Sequence, residues 1–228
     1  MPDVIPPSLP GSAPRARLPE PVVVLGTYFL LTGVSAIGYL LRPDRRDLIL
    51  TDRVLWGSAA VEVLFMLVFV PWLVRRGWNL ARITQRFSPR DLLRSVPLLV
   101  YFYLAYFGSF FAFSAIDPAG ARQMADDRQV GDVSAAVVLL VSSLNPVFEE
   151  FLLLGYTFNA LEQQTSWLPW AISLSLRVGS HAYQGKGALV SILPLGVVLT
   201  AYYAGTRRIW PVVIAHAALD FFGLMRPT

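Results

Sequence analysis

Hydrophobic residues in this chain form long runs separated by short polar stretches. Residues 21–41 contain no charged side chain, residues 54–74 contain only Glu62, and residues 95–116 again contain none. A run of about 20 apolar residues is long enough to cross the hydrocarbon core of a bilayer as a helix. A helix is also suited to that environment because it satisfies its own backbone hydrogen bonds. We therefore predict three transmembrane helices at these positions.

Four further apolar stretches follow, each interrupted by proline, glycine or a few polar groups. They cover residues 134–161, 168–183, 188–204 and 209–225. Together with the first three, they predict an all-α polytopic membrane bundle of seven transmembrane helices, or eight if one segment bends or re-enters. Composition agrees, because only 15% of the residues are charged, against about 25% in soluble domains.

The remaining segments predict the domain organisation. Residues 1–20 are rich in proline, lack the apolar core of a signal peptide and are predicted to form a flexible tail. Residues 21–133 would hold the amino-terminal helices, and residues 134–228 a helical core that carries the candidate chemistry. Within the first part, residues 75–94 alternate apolar side chains with arginines, which predicts an interfacial amphipathic helix. The arginines are Arg75, Arg76, Arg82, Arg86, Arg90 and Arg94.

Loop charges predict the orientation of an integral membrane protein, which we expect in a bacterial plasma membrane. The positive-inside rule places residues 75–94 and the amino terminus in the cytoplasm, and the acidic loop 117–132 outside. The first loop disagrees with this assignment, because it would place Arg42, Arg45, Arg46 and Arg53 outside. The arginines form no tract suited to nucleic acid, so the expected partner is the lipid bilayer. The chain has no cysteine, which excludes disulfides, thiol catalysis and cysteine-based zinc sites.

Titratable residues inside the apolar stretches are the candidates for chemistry. Both histidines of the chain, His181 and His216, lie there, as do the adjacent acids Glu149 and Glu150. Such groups are expensive in hydrocarbon, so we predict that they share one buried site. Neighbouring helical residues point about 100° apart, so one glutamate would face the site and the other a supporting partner. Glu62 is instead interpreted as a helix-packing residue.

The local sequence around these residues suggests two kinds of chemistry. Asn145 precedes Pro146, a pair that favours a helix start or bend just before the glutamates. Arg177 and His181 are four residues apart, and His216 and Asp220 repeat that spacing, so each pair shares a helix face. Two histidines and a carboxylate can bind zinc with an open position for water. Alternatively, a desolvated carboxylate can itself be the base that activates water.

Three ordered motifs resemble a known family. They are Glu149-Glu150 with Gly155, then His181 followed by Tyr183-Gln184-Gly185, then Trp210-Pro211 leading to His216 and Asp220. This pattern resembles the CPBP (CAAX protease and bacteriocin-processing) intramembrane peptidases, the family of the type II CAAX prenyl endopeptidase. The similarity covers residues 134–225 and implies hydrolysis of peptide bonds in a membrane-associated peptide or protein substrate.

The resemblance also implies roles for individual residues. Glu149 would be the base that activates water, Glu150 a supporting acid, and His181 a residue that holds or polarises the water. His216 and Asp220 would stabilise the oxyanion or complete a metal site. In the metal-dependent form, a divalent ion such as zinc would be bound by Glu149, His181, His216 and Asp220.

Two positions depart from the family pattern. Leu154 occupies the place of an arginine that usually accompanies the second glutamate. We predict that Arg177 supplies the missing guanidinium to Glu150 from the neighbouring helix, because an unpaired buried charge would cost several kcal/mol. Asp220 stands where asparagine is common. An ionised aspartate only accepts hydrogen bonds, which favours metal binding or orientation of His216 by this residue.

Three other functions are compatible with buried polar residues in membrane helices. A catalytically inactive scaffold, immunity or receptor-like protein of the same fold would keep the network for stability. A haem protein would use His181 and His216 as axial ligands. A transporter would use the buried acids as a proton relay, although the sequence has no repeated pair of discontinuous helices.

Overall fold

The computed structural model describes residues 19–41, 50–126, 131–161, 166–184 and 188–225, and within these ranges it contains helices and no β-strand. Residues 1–18 of the predicted tail 1–20 and the loop arginines Arg42, Arg45 and Arg46 lie outside the described residues, whereas Pro19 and Glu20 of that tail are helical. The helices are α1 (Pro19–Leu40), α2 (Asp52–Arg75), α3 (Leu80–Thr84), α4 (Pro89–Ile116), α5 (Pro118–Asp126), α6 (Ala135–Glu150), α7 (Thr157–Leu161), α8 (Leu168–Ser180), α9 (Leu193–Thr206) and α10 (Trp210–Leu224).

Each of the seven predicted apolar segments forms a helix, which confirms the all-α membrane bundle. Four are long and apolar enough to cross a membrane: Pro19–Gly38, Asp52–Arg75, Pro89–Ile116 and Ala135–Leu161. The last of these is α6 joined to α7 by a π-helical turn. The three carboxy-terminal helices are shorter, at 13 residues for α8, 14 for α9 and 15 for α10. At 1.5 Å per residue, α10 is about 22 Å long.

The arginine-rich segment 75–94 does not form the predicted amphipathic helix. Helix α2 ends at Arg75, and α3 has only five residues. Gly77 adopts a φ of 89°, which ends α2. A capping box between Ser88 and Asp91 then begins α4. The segment folds this way because two of its apolar side chains, Trp78 and Ile83, are buried in the core rather than directed at lipid.

The Asn145-Pro146 pair also differs from its prediction. Helix α6 begins ten residues earlier, at Ala135, and continues through Pro146 to Glu150. A proline removes only one backbone hydrogen bond, whereas ending a helix inside hydrocarbon exposes several. The π-helical turn Phe151–Tyr156 follows directly after the glutamates and is buried along its length. Such turns interrupt the regular register and are frequent at functional sites.

Helix α6 is the centre of the bundle, and 67% of its span is buried, against 22% for α2 and 11% for α4. Helices α2 and α10 pack against α6, α1 packs against α8, and α4 contacts both α9 and α10. Gly155 in the π-helical turn allows a close approach, because a Cβ atom there would lie 2.6 Å from Ile83 Cγ2. The glutamates at the end of α6 are therefore enclosed on several sides.

Polar contacts close the bundle at both ends. At one end, the Ser134 amide donates to the Asp52 side chain at 2.8 Å, near the unpredicted helix α5. At the other end, Trp78 donates to Glu20 at 2.7 Å, and Arg208 donates to Asp91 at 2.8 Å. The beginning of α1 therefore lies at the same end as the arginine-rich segment, as the predicted topology requires.

Candidate active site

The two adjacent glutamates at the end of α6 are both buried but have different partners. Glu150 accepts hydrogen bonds from Arg177 Nη1 at 2.9 Å and Nη2 at 2.7 Å, a two-point ion pair. Within the part of the chain that the structure describes, Glu149 makes one such contact, of 3.4 Å, to Nη1 of the same arginine. The predicted pairing of Arg177 with Glu150 is therefore present. It replaces the arginine absent at Leu154, whose side chain instead lies in the apolar core.

Histidine 216 approaches the pair from α10. Its Nδ1 atom lies 2.6 Å from Glu150 Oε1, so both oxygens of Glu150 are occupied. Its Nε2 atom points to the other side and lies 3.5 Å from Asp220 Oδ1. The other oxygen of Asp220 accepts a hydrogen bond from the Asn145 amide at 3.0 Å. Asn145 therefore acts here as a side-chain donor and not as a helix cap.

Histidine 181 lies at the end of α8, one turn after Arg177. Its Nδ1 atom is 2.9 Å from the Arg177 carbonyl oxygen and 3.1 Å from Ser180 Oγ. The ring is half-buried and lies within electrostatic range of Asp220. The buried Tyr28 of α1 donates to Ser180 at 3.3 Å. This contact links the first helix of the chain to the site.

A glycine on α9 makes room for the arginine. Arg177 is 1% exposed, and its aliphatic stem crosses Gly196. A Cβ atom at Gly196 would lie 3.1 Å from Arg177 Cδ and 2.9 Å from Leu174 Cδ2. Small residues that allow close helix contact are common in membrane interfaces. The position of the guanidinium therefore depends on helix packing as well as on its ion pair.

Glu62 of α2 is a site neighbour that the sequence interpretation left out. Its side chain is 8% exposed, and it lies within electrostatic range of Glu149, Asp220 and His216. Glu62 is the single charged residue in an otherwise apolar span, and a charged residue inside a membrane span is by default a candidate for function. This is the signal by which the sequence could have identified it. Tyr28 and Asn145 had no comparable signal, since polar residues of these types are ordinary in membrane helices.

A divalent metal such as zinc needs several ligand atoms close together. Among the described residues, ligand atoms of Glu149, Glu150 and His216 lie within 4.8 Å of one another. Glu150 and His216 Nδ1 already bond to each other, so they fit a metal poorly at this spacing. The remaining carboxylate and imidazole groups are Glu149, Asp220 and His216 Nε2, a donor set that zinc can use. A metal there would have to replace the 3.5 Å contact between His216 Nε2 and Asp220 Oδ1. Neither His181 nor Asp220 belongs to the 4.8 Å group.

A comparison with known proteins agrees with this arrangement. Residues 132–222 match the family described as Type II CAAX prenyl endopeptidase Rce1-like. The matched segment contains Glu149, Glu150, Arg177, His181, His216 and Asp220, and it excludes the first five helices. Searches of curated proteins and of solved structures find no match. The predicted site carboxylates and histidines therefore all lie in the segment that is similar to the Rce1-like family of type II CAAX prenyl endopeptidases.

Proposed function

We propose that this protein is an intramembrane endopeptidase in which Glu149 activates a water molecule. The observation that carries the proposal is the difference between the two buried glutamates. Among the described residues, Glu150 is held by three short contacts from Arg177 and His216, whereas Glu149 has one contact of 3.4 Å. A base needs a lone pair that is not already occupied. Glu149 meets this requirement, and Glu150 serves as the anchor that fixes Arg177 and His216.

The reaction follows from these roles. The Glu149 carboxylate takes a proton from water, and the water oxygen attacks the carbonyl carbon of the scissile peptide bond. The carbonyl oxygen becomes an oxyanion, which the His216 side chain stabilises. The carbon–nitrogen bond then breaks, and the proton held by Glu149 passes to the leaving nitrogen. His181 and Asp220 orient the water and the His216 ring.

A divalent metal is the alternative source of polarisation. Glu149, His216 Nε2 and Asp220 would hold it, with His181 as the further ligand that the family resemblance implies. When bound, such an ion would polarise the scissile carbonyl and make water more acidic. Under both forms of the proposal, Arg177 and Glu150 position the other groups.

The substrate class and orientation are also part of the proposal. The family description names a CAAX prenyl endopeptidase, so a prenylated peptide near the membrane surface is the first substrate to test. The cytoplasm would then lie at the end of the bundle that carries residues 75–94. Because Arg177 supplies the guanidinium that is absent at position 154, the leucine at that position does not by itself favour the inactive scaffold.

Cleavage assays with matched variants test this function. We expect Glu149→Gln to lower cleavage of a quenched peptide by about 10²-fold or more, because an amide cannot take the proton. The probes are a peptide that ends in a farnesylated CAAX sequence and the same peptide without the prenyl group. Glu20→Gln is the control, since Glu20 is a buried acid bound to Trp78 away from the site.

The outcomes are separable. Equal cleavage by wild type and Glu149→Gln would contradict the proposal. Dependence on Glu149 with the farnesylated peptide alone would identify a prenyl-directed peptidase. Metal content is measured by mass spectrometry in wild type, His216→Ala and Asp220→Ala. Stoichiometric metal that is lost in both variants would select the metal-dependent form, and metal-free activity would select the glutamate-based form.

A further inference from the structure

We infer that Tyr28 is a positioning residue that holds His181 in one tautomer by fixing the hydroxyl direction of Ser180. The catalytic consequence rests on the proposed function, but the tautomer can be measured without a substrate. Tyr28 belongs to α1 and lies outside the segment 132–222 that matches the family. Helix α1 therefore contributes to the site from outside the matched segment.

His181 is hydrogen-bonded to the end of α8. The last carbonyl oxygens of a helix have no partner within the helix. The Arg177 carbonyl is one of them, and His181 Nδ1 lies 2.9 Å from it. A carbonyl oxygen only accepts hydrogen bonds, so Nδ1 must carry the proton. In a neutral ring, Nε2 then has a free lone pair that can accept a hydrogen bond from water or bind a metal.

Ser180 lies beside both partners of the hydrogen bond between His181 and the Arg177 carbonyl. Its Oγ atom donates to the Arg177 carbonyl at 3.0 Å and also lies 3.1 Å from His181 Nδ1. A hydroxyl has one proton. While that proton points to the carbonyl, the oxygen presents lone pairs to the protonated Nδ1 and supports the same tautomer. If the hydroxyl turned, it would donate to Nδ1 and stabilise the opposite tautomer, with its proton on Nε2.

Tyr28 contacts the Ser180 hydroxyl. Its hydroxyl donates to Ser180 Oγ at 3.3 Å and thereby occupies one lone pair of that oxygen. The Ser180 proton is then directed away from Tyr28 and toward the Arg177 carbonyl. The tyrosine is 1% exposed, and its ring packs against Phe148 at a centroid distance of 5.8 Å. Packing between α1 and α8 therefore sets the orientation of a hydroxyl beside His181.

The chain is well suited to a direct test because it contains only two histidines. In protein labelled with ¹⁵N-histidine and purified in detergent, two-bond ¹H–¹⁵N spectra distinguish protonated from unprotonated ring nitrogens. His181→Gln assigns the signals by removing one ring. We expect wild-type His181 to have a protonated Nδ1 and an unprotonated Nε2. Tyr28→Phe should increase the fraction with a proton on Nε2 at least threefold.

Two further variants identify the route of the effect. Ser180→Ala removes the alternative donor, so Nδ1 should stay protonated. The double variant Tyr28→Phe with Ser180→Ala should show the same spectrum as Ser180→Ala alone, because Tyr28 acts through Ser180. Tyr156→Phe is the matched control, since its buried hydroxyl lies 3.4 Å from Glu20 and has no contact with Ser180. It should leave the His181 signals unchanged.

Cleavage kinetics give the catalytic consequence. We expect Tyr28→Phe to lower kcat about tenfold with little change in KM, as for residues that orient a functional side chain without contacting the substrate. A wild-type His181 with its proton on Nε2 would overturn the inference, and so would an unchanged tautomer in Tyr28→Phe. If the spectra behave as expected but Glu149→Gln cleaves as well as wild type, the positioning holds and the proposed function fails.

Discussion

At the scale of single residues, the site is organised by Arg177. Its guanidinium contacts both glutamates, and its backbone carbonyl accepts the hydrogen bond from His181. One residue thus connects the candidate base, the anchoring acid and the second histidine. Glu150 in turn joins Arg177 to His216. Substitutions at these positions are therefore expected to be coupled rather than additive.

Arg177→Ala should destabilise the protein by about 3–5 kcal/mol, because it leaves the buried Glu150 carboxylate without a cation. Adding Glu150→Gln should recover part of this loss, since the amide is neutral. The free energy of unfolding is measured in mixed micelles as denaturing detergent is added. Arg94→Ala is the control: Arg94 also pairs with an acid, but its side chain is 41% exposed. Additive effects of the two site variants would contradict the pairing.

Glu62 and Glu150 are both buried glutamates but lie in opposite electrostatic surroundings. Glu62 is within range of the acids Glu149 and Asp220, whereas Glu150 is bound by Arg177 and His216. We expect Glu62→Gln to raise the stability by about 0.5–2 kcal/mol, because functional sites are commonly less stable than they could be. Glu150→Gln should lower it. Thermal unfolding of the two variants is the measurement, and a loss of stability in both would contradict this assignment.

At the scale of helices, the site depends on close packing of α9 against α8. Gly196 faces Leu174 and the stem of Arg177 without room for a side chain. The π-helical turn after Glu150 has a similar dependence, because Gly155 faces Ile83. Neither contact could be assigned from helical periodicity, since glycine is frequent in membrane helices without a packing role.

Gly196→Ala should destabilise the protein by about 1–3 kcal/mol through overpacking and should lower cleavage by moving Arg177. Gly205→Ala is a control on the same helix, because a Cβ atom there would have no neighbour within 4 Å. That control should be neutral or stabilising by up to about 1 kcal/mol, since alanine favours helix. Thermal unfolding and peptide cleavage are measured for both. Equal behaviour would show that Gly196 does not position Arg177.

At the scale of the whole molecule, the family segment and the preceding helices form one bundle. Helix α1 contributes Tyr28, and α2 contributes Glu62, although both lie before residue 132. The two ends of the bundle are distinct in charge and contacts. The orientation of the bundle therefore decides from which side a substrate would reach the site.

Labelling of single cysteines tests the topology, since the natural chain has none. Arg86 precedes α4 and Asp132 follows it, and both are exposed. In intact bacterial cells, we expect Asp132→Cys to react with a membrane-impermeant maleimide and Arg86→Cys to react only after lysis. The reverse pattern would invert the proposed orientation. Labelling of both from outside would contradict the assignment of α4 as a membrane span.

The fold class and most members of the candidate site can be predicted from the sequence alone. Apolar runs predict membrane helices because unpaired backbone groups are costly in hydrocarbon, and all seven predicted segments are helical. Buried charge is costly for the same reason, so Glu149, Glu150, His181 and His216 stood out. The pairing of Arg177 with Glu150 could also be predicted, because a buried acid without its usual arginine needs another cation.

The way in which these groups share their contacts depends on the packing of the helices and could not be predicted from the sequence. Helix α6 continues through Pro146 because the neighbouring helices enclose it, and Trp78 is buried instead of lying at the interface. Glu150, and not Glu149, accepts hydrogen bonds from both Nη1 and Nη2 of Arg177. Tyr28 and Glu62 approach the site from helices distant in sequence. These features depend on which helix faces meet, and local periodicity shows only that a face is apolar.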